Sequence, residues 1–173
     1  MIVLRKPHDR DAEPLAGAGD HLAVADTMIS LPSPFRVPDA RAWIAATRTS
    51  PTLDGYVIAA NPGGAVIGAA ELRDIEREHR TAEASFWLTP SVWGRGCASA
   101  ALNELTRIAF EAHGLNRVYA YHMARNPASG RVMAKCGFQF EGRLRQRVWK
   151  SGRTEDAMLW ARLAVDPPPA APS

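Results

Sequence analysis

At 173 residues, 46% apolar and 23% charged, the chain fits one ordinary domain, able to bury roughly 70% of its unfolded surface without a disulfide or structural metal. Its net charge of +3 and pI near 9.2 come without a run of Lys or Arg, which argues against a nucleic-acid-binding face. No apolar run approaches a membrane span, and the two cysteines, Cys97 and Cys136, form no Cys-x-x-Cys pair; with no signal peptide evident, a reduced, cytoplasmic protein is expected.

Met1 to Arg5 is predicted to form a short strand. Asp11 to Met28, Ala-rich and interrupted by Gly17 and Gly19, predicts two short helices. Pro32, Pro34 and Pro38 punctuate a loop, and Asp39 to Thr47 predicts a third helix. Tyr56 to Ala60 and Ala65 to Leu72 flank the turn Asn61-Pro-Gly-Gly64, so they predict a hairpin. Ala82 to Thr89 is a further strand, stopped by Pro90. From Gly96 to His113, Ala98, Ala101, Leu102, Leu105, Ile108, Ala109 and Ala112 recur at helical spacing, and Gly114 supplies a left-handed cap.

Asn116 to His122 predicts a strand, and Asn126 opens a shorter helix ending at Gly137. Phe138 to Trp149 and Thr154 to Leu163 predict two final strands about Ser151-Gly152. The Pro-rich tail, 166–173, is expected to be disordered. The order is strand, helices, three strands, long helix, strand, helix, two strands. That is an α/β domain over residues 1–165, with helices on a mixed sheet rather than a doubly wound alternation.

The chemistry concentrates in Pro90-Ser-Val-Trp-Gly-Arg-Gly-Cys-Ala-Ser99, which leaves a strand and opens the longest helix. Gly94 and Gly96 allow backbone N–H groups to converge on one point, and the helix behind them adds unpaired donors and a positive dipole end. Phosphate or pyrophosphate is the natural guest of such a loop. Arg95 either adds charge or points into solvent. A P-loop would need Gly-Lys-Ser/Thr where the chain has Gly-Cys-Ala. A dinucleotide fingerprint would need Gly or Ala at Ser99 and an acidic residue where Asn116 and Arg117 stand. A ligand-free strand-to-helix turn remains the plain alternative for Gly-x-Gly alone.

Trp93-Gly-Arg-Gly96-Cys-Ala98 resembles the Gln/Arg-x-x-Gly-x-Gly/Ala pyrophosphate loop of the GCN5-related N-acetyltransferase (GNAT) superfamily in all but its first position. With Asn126-Pro-Ala-Ser129, Lys135-Cys-Gly137-Phe138, Glu141-Gly142-x-Leu144-Arg145 and Gly152-Arg153…Asp156, the chain is similar to the branch of ribosomal-protein alanine N-acetyltransferases. The resemblance implies a single domain whose mixed, mostly antiparallel sheet of about seven strands is flanked by helices. It also implies acetyl-CoA as donor and direct attack by a bound amine, on a protein N-terminus or a small molecule.

By this likeness the amides of Gly94, Arg95, Gly96, Cys97 and Ala98 hold the pyrophosphate. Trp87 and Leu88 offer backbone groups to pantetheine beside a splayed strand, and Asn126 bonds the cofactor near its reactive end. Ser129 donates to the departing thiolate, and Glu83 leads as general base, with Glu71 and His122 as alternatives. The residues themselves leave plainer roles open: helix capping for Asn126 and Ser129, loop packing for Cys97, and core or pocket wall for the five tryptophans. No His pair or Cys/carboxylate cluster suggests a metal site. The segment from Asp11 to Thr49 is expected to roof the acceptor site. No nucleic-acid or membrane partner is expected, a homodimer is compatible with the fold, and a non-catalytic acyl-CoA-binding module is the rival reading.

Overall fold

The computed structural model describes residues 2–169. Met1 of the first predicted strand and residues 170–173 of the predicted tail lie outside the described residues.

The chain forms β1 (Val3–Arg5), a 3-10 turn (Asp9–Asp11), α1 (Ala12–Gly19), α2 (Leu22–Thr27) and α3 (Val37–Thr49). There follow β2 (Asp54–Ala59), β3 (Val66–Glu76), β4 (Thr81–Leu88), α4 (Cys97–Glu111), β5 (Arg117–Met123), α5 (Pro127–Lys135), β6 (Gln139–Lys150) and β7 (Arg153–Leu163). The predicted elements are all present, with ends shifted by up to four residues. β3, for example, runs past Leu72 to Glu76 because Arg73 pairs with Glu83 and Glu76 with Thr81.

Local chemistry sets the helix starts. Arg5 donates two 2.7 Å hydrogen bonds to buried Asp11, whose carboxylate also accepts from the His8 amide, and this fixes the turn into α1. Pro38 occupies the first turn of α3, while Asp39 reaches back to the Arg36 amide at 2.8 Å.

One seven-stranded sheet runs β1-β2-β3-β4-β5-β7-β6, antiparallel except between β4 and β5. Alternation along the strands sends side chains to two layers. Ile58, Leu72, Ala84 and Leu88 meet Leu102 and Leu105 of α4 on one face. Val57, Ala69 and Trp87 meet Leu15, Phe35 and Ile44 of the α1–α3 layer on the other. β2 is buried along its whole length because both faces are covered.

Three details differ from the sequence reading. Trp149, expected in core or pocket wall, is 72% exposed on the outer strand β6, where no helix covers its face. Asp166, expected to open the disordered tail, closes a turn on Leu163, accepting from its amide at 2.8 Å. Asn126 stands at the N-cap position of α5, yet no side chain caps that helix. Among the described residues, no helix is long and apolar enough to cross a membrane.

Candidate active site

β4 and β5 pair only at Thr81–Arg117, Ala82–Val118 and Glu83–Tyr119, and then part. Beyond Glu83 the edge of β4 that faces β5 is open. Its polarity follows from strand alternation: Thr89 donates to the Ile67 carbonyl, so Trp87 and Ser85 also direct their backbone groups toward β3. Phe86 and Leu88 therefore direct theirs into the gap. The Leu88 carbonyl is already taken by the Trp93 indole N–H at 2.8 Å, an anchor that ties the following loop to the strand end.

That loop carries Gly94 at φ +75° and Gly96 at φ +77°, the left-handed conformation that L side chains resist. Gly96 precedes α4, its carbonyl accepting from Ala100 at 3.0 Å, so the amides of Cys97, Ala98 and Ser99 have no acceptor within the helix. No acidic residue stands in that first turn. A cleft of about 330 Å³ runs from this loop along the gap to α5. Trp87, Leu88, Gly94, Gly96, Cys97, Ala98, Asn126 and Ser129, all singled out from the sequence, line it. The Arg95 side chain does not; it is exposed beside the cleft. Phe86, Arg131 and Lys135 also line it and were missed. The two cations stand one helical turn apart on α5, a spacing visible in the sequence but without meaning until α5 is known to face the loop.

Asn126 donates from its side-chain amide to Ser129 Oγ at 3.0 Å. With that acceptor role filled, the Ser129 hydroxyl proton is free to point into the cleft. Where the strands part, a small cavity of about 40 Å³ joins Ser129 to Glu83, Tyr121, His122 and Arg73. Glu83 is buried and its Oε1 accepts from Arg73, which also donates to Ser30 Oγ at 2.9 Å. His122 is buried, with Nδ1 2.9 Å from the Met123 carbonyl. A carbonyl only accepts, so the proton is assigned to Nδ1, and Nε2 is left with a lone pair and no partner. Gly130 makes room for it, since a Cβ there would lie 2.8 Å from Nε2. Burial pushes the Tyr119 phenol up to about 12 and raises Tyr121 in the same direction, so both stay protonated at neutral pH.

On the opposite face of the sheet lies a chamber of about 300 Å³, roofed by α1, α3 and the 28–35 loop. Glu71 stands on its floor, directly across the strand pair from Ser85, and accepts the Trp43 indole N–H at 2.5 Å. Burial raises the Glu71 carboxyl above the usual carboxylate range, against the Trp43 bond and the nearby Arg73, which lower it. Met28 lines the cleft, the junction and the chamber, and Ser30 and Ser85 line the last two. The three spaces thus adjoin one another around Met28, the junction lying where β4 and β5 part. Among the described residues, no group of three or more His, Cys, Asp or Glu side chains could hold a metal ion.

A family model described as acetyltransferase (GNAT) domain matches residues 2–139. The chain belongs to the GNAT family. This GNAT domain is 33% identical to the ribosomal-protein-serine acetyltransferase of Escherichia coli over 98 residues, covering 57% of this chain and 55% of that protein. It is 31% identical to the spermidine N(1)-acetyltransferase of Vibrio cholerae over 91 residues, 53% of each chain. The chain thus spans about half the length of the curated relatives it matches. The crystal structure of a Vibrio cholerae spermidine N-acetyltransferase with CoA and spermine superposes with a TM-score of 0.84 at 20% identity. That match covers 95% of this chain and 96% of the other, so the two share the fold.

Proposed function

We propose that this GNAT protein is an acetyl-CoA-dependent N-acetyltransferase in which a bound amine attacks the thioester directly. The observation that carries the reading is the placement of three adjoining spaces: the cleft by the Gly94–Ala98 loop, the junction where β4 and β5 part, and a separate chamber on the other face. A donor and an acceptor entering from opposite faces would meet beside Ser129.

The amides of Gly94, Arg95, Gly96, Cys97 and Ala98 would hold the pyrophosphate, with Arg131 and Lys135 adding charge. Pantetheine would take the place of the missing strand, against the gap-facing groups of Phe86 and Leu88; Trp87 would contribute wall. The amine nitrogen, once deprotonated, attacks the carbonyl carbon, and a gap-facing N–H of β4 receives the oxyanion. Collapse would break the C–S bond, and the second proton of the amine nitrogen would pass to the departing sulfur or to solvent. Ser129, oriented by Asn126, donates a hydrogen bond to the leaving thiolate.

Glu83 takes the amine proton in this reading, through a water in the junction. The free lone pair of His122 Nε2 favours a second reading, in which the imidazole is the base. Comparing kcat against pH for Glu83→Gln and His122→Gln separates them: the variant that loses the acidic limb has lost the base. The reading as a whole is tested by acetyl-CoA-dependent thiol release over a panel of N-terminal peptides, polyamines and small amines. CoA binding without turnover of any amine would instead make the protein an acyl-CoA-binding module.

A further inference from the structure

The chamber under α1 and α3 differs in character from the cofactor cleft. Its walls are apolar and aromatic, formed chiefly by Leu15, Leu31, Phe35, Trp43 and Trp87. Polar groups gather on the floor by the junction, where Glu71 faces Ser85 across the strand pair and Ser30 lies alongside. Of the charged groups around it, Glu83 is occupied by Arg73, and Asp39 accepts the Arg36 amide at 2.8 Å. Glu71 Oε2 is held by Trp43, and Oε1 forms an ion pair with Arg73 at 3.7 Å but accepts no hydrogen bond from it. One carboxylate oxygen is therefore available to an ammonium group.

From this arrangement we infer that the acceptor is a primary monoamine carried on a compact apolar or aromatic body. The body fills the aromatic chamber, and Glu71 Oε1 steers the amine to the split in the sheet. At roughly 30 Å³ per liquid-packed heavy atom, a space of about 300 Å³ holds about ten of them. A polyamine would place further charges against Leu31, Phe35 and Trp87, with only the Asp39 carboxylate, already half engaged by the Arg36 amide, to meet them. A peptide would leave most of its length outside a chamber this small. This inference names the acceptor class and rests on the transferase reading above.

The test is thiol release at saturating acetyl-CoA with 2-phenylethylamine, spermidine and an alanine-initiated hexapeptide, paired with calorimetric titration of 2-phenylethylamine into the CoA-saturated protein. The expected result is a kcat/KM for 2-phenylethylamine at least roughly 10-fold above the other two. Trp43→Ala should lower that value by a similar factor through KM for the amine. Ala42→Trp, at the exposed rim of the chamber, serves should Trp43→Ala fail to fold, and should block the same acceptor. Preference for spermidine or the peptide overturns the inference and leaves the transferase standing. If no amine is acetylated, the transferase reading fails, and the titration still decides: 2-phenylethylamine bound in wild type and lost in Ala42→Trp supports the chamber's assignment, and no binding overturns it.

Discussion

Replacing Gly96 by Ala isolates the phosphate loop from every packing effect. No heavy atom lies within 4 Å of a Cβ built on Gly96, so the substitution meets no steric obstacle and its whole cost is backbone. At φ +77° that cost is about 1–2 kcal/mol for an L side chain. With nothing packed against it, the free loop relieves the strain by moving toward negative φ, which turns the adjoining amides out of convergence. CoA must then restore the strained form, and its Kd rises about 5–30-fold. Gly152, in the turn between β6 and β7, is the matched control, at φ +76° with an equally open surrounding and far along the chain from the cleft. Gly152→Ala should lower the melting temperature by about 2–8 °C for the same backbone penalty and leave Kd for CoA unchanged. Calorimetric titration of both variants gives the answer. An unaltered CoA affinity in Gly96→Ala would refute the assignment of this loop as the cradle.

Ser129→Ala should lower kcat about tenfold or more with little change in KM for acetyl-CoA; an unchanged kcat would remove Ser129 from the mechanism. Cys97 lines the cleft, whereas Cys136 is buried and its thiol is pushed up to about 11 by burial. Iodoacetamide should accordingly label Cys97 alone in the folded protein, and CoA should protect it, as read by peptide mass mapping. The Arg5 guanidinium holds the Asp11 carboxyl below its ordinary value, so this stabilisation is present above about pH 4 and is lost as pH falls through the lowered value. Asp11→Asn should thus cost about 2–4 kcal/mol in urea denaturation at pH 7 and progressively less at acidic pH. A pH-independent loss would mean that packing, not charge, dominates there.

The legible parts of the sequence were those where one local rule decides. Periodicity placed α4, turn chemistry placed the β2–β3 and β6–β7 hairpins, and paired glycines placed the loop. The backbone directions in the gap were not legible, because they depend on the register between β3 and β4. A shift of one residue would have turned Trp87 rather than Phe86 and Leu88 toward the opening. Arg131 and Lys135 were passed over because a cation on a short helix reads as a solvated face until its neighbour is known. The chamber was invisible for a similar reason. Leu15, Phe35, Trp43, Glu71 and Ser85 come from five separate stretches of chain, and their meeting is a tertiary event. Trp149 misled in the other direction: aromatic residues are usually covered, but the outermost strand has no layer above it.

The strand order also has a consequence for how the molecule is made. β7, the final strand, lies between β5 and β6, pairing with β5 over Arg117–Met123 and with β6 from Gln139 to Lys150. Until residues 153–163 leave the ribosome, two earlier strands wait with unpaired edges, and the β5–α5 junction carrying Asn126 and Ser129 has no support on that side. A chain cut short anywhere in this stretch would keep its phosphate loop and most of its hydrophobic layers. It would lack a settled catalytic half and present open edges to its neighbours, the condition under which nascent chains aggregate. The catalytic half of the site therefore waits on residues 153–163, whereas the phosphate loop does not.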